Sequence, residues 1–435
     1  MTHRRYLLVP ALAAVLATPA LAQQRSVTLA EAIAMAQRVQ VSMLAAQGAV
    51  RTTAAARLAA IGEFTPSVNA SANGSNSYSE FQRPDPVTGQ ILSSGSSTTS
   101  LSAGLSASIN LFSGFSSRAD LAAASANQRA AAAGLVSARY GVVVSTTAAF
   151  ITALTQRQLV GVDSEAVASA QTQLKAAVDK LHAGAATKSD SLTAMVTLGS
   201  AQLTLVNAGA ALIGAQAALA RIIGVDGQVA AQDDSSFYRV VSNVDTATVR
   251  REAMAQSPLV QSAQANADAA HASARAAKAG YWPTLSASAN ANWSGSNSST
   301  PAYNLLPNRS IGLQLNWPLF NKFTRESNIA NTEVNAEVQD ATAADARRQL
   351  QSTLSQDIAL LEAAGTSIGI GQTSVSSARE ALRVVQEKYR VGTATIVDVM
   401  TAQVALNNAE TSVLQARFSY LNAKAALEAL IGRSL

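Results

Sequence analysis

The residues best suited to a specific chemical role occur twice in this sequence, at positions 208 residues apart. Each set has a glycine, a threonine three residues later and an aspartate after three more. The members are Gly184, Thr187 and Asp190 in the first set and Gly392, Thr395 and Asp398 in the second. Glycine takes the left-handed conformation that ends many helices, and a threonine with an acidic residue three positions later forms a capping box at the start of a helix. Each set therefore predicts two helices joined by a loop of about three residues.

One other motif has the spacing of a catalytic site. Gly365, Ser367 and Gly369 fit the Gly-x-Ser-x-Gly pattern of serine hydrolases. That chemistry needs a strand before the serine and a histidine and an acid elsewhere, whereas this segment lies in a long helical run. The chain has no cysteine, which excludes disulfides and thiolate ligands. We therefore expect no enzymatic activity, no cofactor and no metal site.

The N-terminal segment has the features of an export signal. A pair of arginines precedes an apolar stretch of about 15 residues, Tyr6–Ala20, and Ala20–Ala22 forms an A-x-A cleavage site. We expect residues 1–22 to be a signal peptide. No other uninterrupted apolar run reaches 18 residues, so a transmembrane helix is not expected. Removing the two arginines lowers the formal net charge from +5 to +3, and no long basic run remains, so nucleic-acid binding is not expected either.

The rest of the chain is an internal repeat. A shift of 208 residues aligns the two halves without a gap, and seven of the fifteen positions in 180–194 are identical to those in 388–402. Nearer the N-terminus the shift becomes 217, a difference that we attribute to one longer loop in the first half. An aligned register of this length indicates duplication. The predicted parts are a first repeat at 23–224, a linker or equatorial segment at 225–244 and a second repeat at 245–435.

Each repeat contains two segments in which apolar and polar residues alternate. These strands are predicted at about 66–74, 100–112, 283–293 and 310–319, with exposed loops at about 74–100 and 294–309. Period-two alternation over about ten residues, with serine and asparagine on the polar face and aromatic residues near the ends, is typical of transmembrane β-strands. A soluble hairpin with one buried face shares the alternation. Four strands cannot close a membrane barrel, so the chain must then oligomerise, as two copies with eight strands or three with twelve.

Long helices fill the remainder of each repeat. They are predicted at about 115–182, 187–223, 321–390 and 395–431, because proline is absent from these stretches. The helix after each predicted turn has an apolar stripe with steps of four and three residues. Its members are Leu192, Val196, Gly199, Leu203, Val206, Ala210, Ile213 and Ala217, and then Met400, Val404, Asn407, Thr411, Leu414, Phe418, Leu421 and Ala425. This spacing predicts left-handed, coiled-coil packing against neighbouring helices.

Three segments resemble a known family, the TolC-like outer-membrane efflux proteins. Residues 27–33 resemble its opening helix, 276–286 its helix-to-strand entry and 388–399 its tip motif, and the resemblance covers about 27–432. It implies a mixed α/β membrane protein built from duplicated units of helix, β-hairpin and long helix hairpin. The family fold is a homotrimer with a 12-stranded β-barrel continuous with a periplasmic 12-helix α-barrel.

The resemblance also implies a function. Such a protein is a passive exit duct in the outer membrane of a Gram-negative bacterium, for a tripartite efflux pump or a type I secretion system. Its implied partners are outer-membrane lipid, a periplasmic adaptor and, through the adaptor, an inner-membrane transporter. The main alternative is a trimeric coiled-coil and β-barrel structural protein or adhesin. An adhesin of that kind has its strands at one terminus, whereas these hairpins are internal and duplicated.

Family roles can be carried to matching positions. Adaptor docking is implied for Ala183, Gly184, Ala185, Ala186, Val391, Gly392, Thr393 and Ala394. Tyr389 matches a gating tyrosine, Asp190 its hydrogen-bonded partner and Asp398 an acidic residue at the pore constriction. Two positions depart from TolC, since Ala394 stands in place of an arginine and Thr401 in place of a second aspartate. Capping alone, by Thr187 and Thr395, is the other explanation for the two aspartates.

Overall fold

The computed structural model describes residues 25–87, 89–233, 245–297 and 305–431. The expected signal peptide, 1–22, lies outside the described residues. The elements of the first half are β1 (Arg25–Val27), α1 (Leu29–Val39), α2 (Val41–Gly62), β2 (Ser67–Pro84), β3 (Ile91–Phe112), α3 (Ser116–His182), α4 (Lys188–Ile223) and β4 (Val229–Ala231). Those of the second half are α5 (Thr246–Gln256), α6 (Pro258–Ala277), β5 (Thr284–Ser296), β6 (Leu306–Asn316), α7 (Thr324–Arg390) and α8 (Ile396–Ile431).

The element boundaries repeat with the two shifts seen in the sequence. Adding 208 to the limits of α3 and α4 yields those of α7 and α8, and adding 217 to the limits of α1 yields those of α5. The helices α3 and α7 each contain 67 residues. The long helices of the two halves therefore begin and end at equivalent residues.

The four longer strands form a single antiparallel sheet in the order β2-β3-β5-β6. One row across it contains Ala70, Leu105, Ala291 and Arg309, and the next contains Val68, Ala107, Ala289 and Ile311. Alternate side chains point to opposite faces, so these rows lie on the apolar face, and serine, asparagine and glutamine lie on the other.

The first hairpin differs from the sequence-based expectation. We expected a loop over about 74–100, but β2 and β3 remain paired as far as Pro84 and Ile91, so most of the expected loop is strand. No charged residue lies within the strand limits predicted from the sequence, whereas the observed strands include Glu80 and Arg83 in β2 and Arg309 in β6. Serine- and threonine-rich segments have weak alternation, which hid these strand ends from the sequence pattern.

Aromatic residues cluster where the strands meet the long helices. Phe115 has a positive φ of 69° and Phe323, its counterpart, one of 62°. The Phe115 ring makes edge-to-face contacts with Phe112 and Trp282, at centroid distances of 5.3 and 5.6 Å. A side chain on Gly114, which also has a positive φ, would collide with Trp282. In the first half the sharp turn between strand and helix thus depends on a residue without Cβ and on packed rings, whereas in the second half Lys322 takes the equivalent left-handed conformation, with a φ of 57°.

The chain divides into two compact units. The first consists of the described parts of 1–34, 148–237 and 373–415, and the second contains the remainder. The first unit includes a short parallel pair, β1 with β4, in which Val27 and Val229 are fully buried. The sequence pattern did not reveal this pair. In the second unit α5, α7 and α8 share an apolar core around Leu354 and Leu427.

Two helices, α3 and α4, each contain a segment that is long and apolar enough to cross a membrane, judged by length and composition alone. Neither helix contains an uninterrupted run of 18 apolar residues, because serine, threonine and glutamine recur along both. Within the chain, only 28% of this segment is buried in α3 and only 17% in α4. The same composition suits helices that pack against other helices.

Candidate functional site at the two helical turns

Both predicted turns lie in the first compact unit, and their backbone geometry is the same. Gly184 and Gly392 have left-handed φ angles of 73° and 85°. The amide of Ala185 donates to the carbonyl of Lys180 at 2.8 Å, and the amide of Gly184 donates to that of Leu181 at 3.0 Å. In the second turn Thr393 and Gly392 donate in the same way to Lys388 and Tyr389. This is the Schellman motif, which satisfies carbonyls left unpaired at a helix end.

The helix that follows each turn begins with a complete capping box. The Asp190 amide donates to Thr187 Oγ1 at 3.2 Å, and the Thr187 amide donates to Asp190 Oδ2 at 2.8 Å. The second turn repeats both bonds with Thr395 and Asp398 at the same distances. Each aspartate therefore caps a helix, whatever else it does.

The electrostatics of the second box follow from these bonds. The backbone hydrogen bond from Thr395, followed by that from its hydroxyl, lowers the pKa of Asp398 below its usual range. A carboxylate in the first turn of a helix also interacts favourably with the positive end of the helix dipole. Asp398 is exposed, so its charge faces solvent in the single chain.

A lysine joins the C-terminal ends of the long helices α3 and α7. Lys180 Nζ, at the end of α3, donates to the carbonyl oxygen of Tyr389 at the end of α7. The same ammonium lies 3.7 Å from the centroid of the Tyr389 ring, a cation–π contact. Sequence reasoning assigned no role to Lys180, although its identity with Lys388 in the repeat was a signal of its importance.

The Tyr389 hydroxyl is in an unusual position. It is buried, and no residue in the described part of the chain hydrogen-bonds to it. Burial raises the pKa of Tyr389, and the negative charge of Asp190 raises it further. The expected bond between Tyr389 and Asp190 is therefore not formed within the single chain, and the Asp190 carboxylate is used for capping.

Apolar and polar contacts hold the two turns together. Ala177 of α3, Ala194 of α4 and Ile396 of α8 form a buried cluster. Farther along the helices, Ser169 of α3 donates to Gln403 Oε1 of α8 at 2.6 Å, and Gln173 donates to the same oxygen at 3.3 Å. The four helix ends are thus one packed assembly.

The positions expected to dock an adaptor lie on the surface of these turns. Six of the eight are exposed, and Ala186 and Ala394 are half-buried. The largest apolar side chain among them is Val391, which is 61% exposed. Backbone groups and small side chains thus dominate the surface of both turns.

The hydrolase-like motif has no catalytic geometry. Gly365, Ser367 and Gly369 lie inside α7, so no strand leads to the serine and no sharp turn exposes it. Among the described residues, no group of three or more His, Asp or Glu side chains is placed to hold a metal ion.

Comparison with known proteins supports the fold. The family model for outer membrane efflux proteins matches residues 15–225 and 249–433. The chain is 29% identical over 167 residues to the outer membrane protein TolC of Salmonella enteritidis, an alignment covering 37% of this chain and 34% of TolC, about a third of that relative's length. It is 25% identical over 325 residues to the outer membrane efflux protein BepC of Brucella suis biovar 1 (strain 1330), covering 72% of this chain and 69% of BepC.

A solved structure has the same architecture. The outer membrane protein VceC of Vibrio cholerae superposes with a TM-score of 0.74 at 16% identity, covering 93% of this chain and 96% of VceC. Since a family model matches both repeats over most of their length, the chain belongs to the outer membrane efflux protein family and to the outer membrane of a Gram-negative bacterium.

Proposed function

We propose that this protein is the outer-membrane exit duct of a tripartite efflux pump or type I secretion system. It conducts small molecules or polypeptides passively, as a homotrimer with a 12-stranded barrel and a periplasmic tunnel of 12 helices. An inner-membrane transporter supplies the energy, and a periplasmic adaptor connects the two. One observation carries the proposal, namely a membrane-type sheet that cannot close by itself.

The sheet has two edges, β2 and β6, that are paired on one side only. In lipid, each unpaired backbone group costs several kcal/mol, because no water is present to bond with it. Pairing β2 of one copy with β6 of the next removes both edges. Three copies supply twelve strands, a number within the range of known membrane barrels.

The long helices support the same assembly. The stripe on α4 is exposed in the single chain, with Leu192, Val196 and Leu203 at 53%, 70% and 67%. The equivalent stripe on α8 is buried at Leu414, Phe418 and Leu421, whereas Val404, nearer the turn, is 52% exposed. An apolar stripe with heptad spacing needs a neighbouring helix, and a second copy of the chain would provide it.

We assign the helical turns to gating and docking. Asp398, and with it Asp190 and Tyr389, would control the constriction, because three copies would bring three carboxylates of each kind around one axis. The adaptor would contact the exposed turn residues 183–186 and 391–394. The orphaned Tyr389 hydroxyl supports this assignment, because a buried hydroxyl without a partner is costly unless another state or subunit satisfies it.

The test is the mass and shape of the complex extracted from the outer membrane in detergent, followed by drug-susceptibility assays in a deletion strain. We expect a trimer, seen as an elongated particle in negative-stain images, and loss of resistance or of secretion on deletion. A compact soluble monomer would contradict the barrel, the trimer and the efflux function together.

A further inference from the structure

An arginine side chain lies on the apolar face of the sheet. In β6, Arg309 alternates in phase with Ile311, Leu313 and Leu315, and it pairs across the sheet with Ala291 of β5. If this sheet forms the barrel proposed above, on which this inference rests, that face contacts lipid. A charge on it is unfavourable unless it reaches the membrane interface or finds a partner.

Among the described residues, none is a partner for Arg309. The side chain is exposed, and no hydrogen bond or ion pair joins it to any residue in the described part of the chain. Ala70 of β2 lies in the same row of the sheet as Arg309. The one carboxylate of β2 on this face, Glu80, lies ten residues farther along the strand than Ala70. The positive charge is therefore available to a ligand.

The height of Arg309 places it in the outer half of the membrane. The inner limit of the apolar band is the row of Phe112, Leu285 and Leu315, beside the aromatic cluster at the helix junction. Six residues separate Leu315 from Arg309, which is roughly 16 Å along the membrane normal at about 3.4 Å per residue and a tilt near 40°. The lipid-facing band is about 25 Å tall, so an extended arginine reaches its outer boundary by snorkelling.

The neighbouring side chains complete a site. The next row outward contains Trp293, paired with Pro307, and tryptophan marks the membrane interface. Below it, on the same face, a shallow groove has a floor of alanines, Ala107, Ala289 and Ala291, and is bordered by Leu105, Ile311 and Arg309. The groove is apolar and open, with one cation at its outer end.

We propose that Arg309 and this groove bind a phosphorylated glycolipid of the outer leaflet, the lipid A portion of lipopolysaccharide. The guanidinium pairs with a phosphate, for which its planar fork is well matched, and an acyl chain lies over the alanines. The site is at the strand ends distant from the helix junctions, which is the outer-leaflet side, and there the phosphate-bearing lipid is a glycolipid.

The experiment compares lipid A bound to detergent-purified trimers by native mass spectrometry. The variants are Arg309→Gln and Arg309→Lys, with Arg83→Gln as a matched control, because Arg83 lies on the polar face of the same sheet. We expect Arg309→Gln to bind lipid A about tenfold more weakly, as is typical for loss of a charge-assisted bond. Arg309→Lys should retain part of the binding, and Arg83→Gln should bind like the wild type.

Two lipid controls identify the ligand. In the first control, dephosphorylated lipid A is added to the wild type, and it should bind as weakly as intact lipid A binds to Arg309→Gln. In the second control, phosphatidylglycerol is added to the wild type, and an affinity equal to that of lipid A would overturn the choice of a glycolipid. If the trimers are intact and lipid A binds wild type and Arg309→Gln equally, the site is wrong while the duct proposal stands. If no trimer forms in the wild type, both fail, and the same mass spectra show which case holds.

Discussion

At the scale of single residues, Asp398 connects the turn to pH. Hydrogen bonds from Thr395 hold its pKa below the usual range, so the carboxylate stabilises the start of α8 at every pH above about 4. As the pH falls through the lowered folded pKa, protonation removes this contribution. We expect hydrogen exchange of the amides at 396–399, corrected for intrinsic rates, to accelerate below pH 4. The same change with Asp398→Asn would contradict this assignment.

Lys180 is the second residue with a specific expected effect. It joins Tyr389 through a carbonyl bond and a cation–π contact, which together are expected to contribute about 1–2 kcal/mol. Lys180→Met keeps the length of the side chain and removes its charge. If this link closes the tip, the open probability should rise roughly 5–30-fold, and the time-averaged conductance in planar bilayers should rise with it.

The matched control is Lys188→Met, because Lys188 is exposed on the neighbouring turn and no described side chain pairs with its ammonium. Conductance should be unchanged in that variant. Equal conductance in wild type and Lys180→Met would show that the link has no role in gating.

At the scale of elements, each long helix must end sharply, and its glycine makes this possible. Gly392 has a φ of 85°, which costs an alanine roughly 1–2 kcal/mol. Gly392→Ala should therefore lower the midpoint of thermal unfolding, whereas Gly369→Ala, inside α7 with open space around it, should be neutral or stabilising by up to about 1 kcal/mol. A loss of the same size in both variants would argue against a requirement for the left-handed turn.

At the scale of the whole molecule, the exposed stripe on α4 determines assembly in our proposal. Leu203 is 67% exposed in the single chain, and burying a leucine contributes about 1.5–3 kcal/mol. Leu203→Glu should reduce the fraction of trimer measured by native mass, and Thr204→Glu, exposed on the adjacent position off the stripe, should not. An undiminished trimer fraction in Leu203→Glu would place this stripe outside the interface.

The assembled pore should also reveal whether Asp398 does more than cap a helix. Three carboxylates around a narrow opening concentrate cations. Asp398→Asn should lower the ratio of cation to anion permeability in bilayer recordings, while Thr395→Ala, which breaks the cap and keeps the charge, should leave the ratio unchanged. Loss of the cap alone lowers the free energy of unfolding by about 1 kcal/mol. If both variants change the ratio equally, capping accounts for Asp398.

The features that the sequence determined by itself are those that depend on neighbouring residues. The Schellman turns at Gly184 and Gly392, the capping boxes at Asp190 and Asp398 and the limits of the long helices depend on contacts within about five positions, and all could be predicted. The repeat was equally visible, because it requires only comparison of the chain with itself.

Tertiary structure decided what depends on contacts between distant residues. β1 pairs with β4 about 200 positions away, Lys180 reaches Tyr389, and β2 extends to Pro84 only because β3 accompanies it. The stripes on α4 and α8 have the same spacing, yet Val206 and Ile213 are exposed where their equivalents on α8, Leu414 and Leu421, are buried. Spacing defines which face of a helix is apolar, but which neighbour covers that face depends on the packing of the complete chain and its copies.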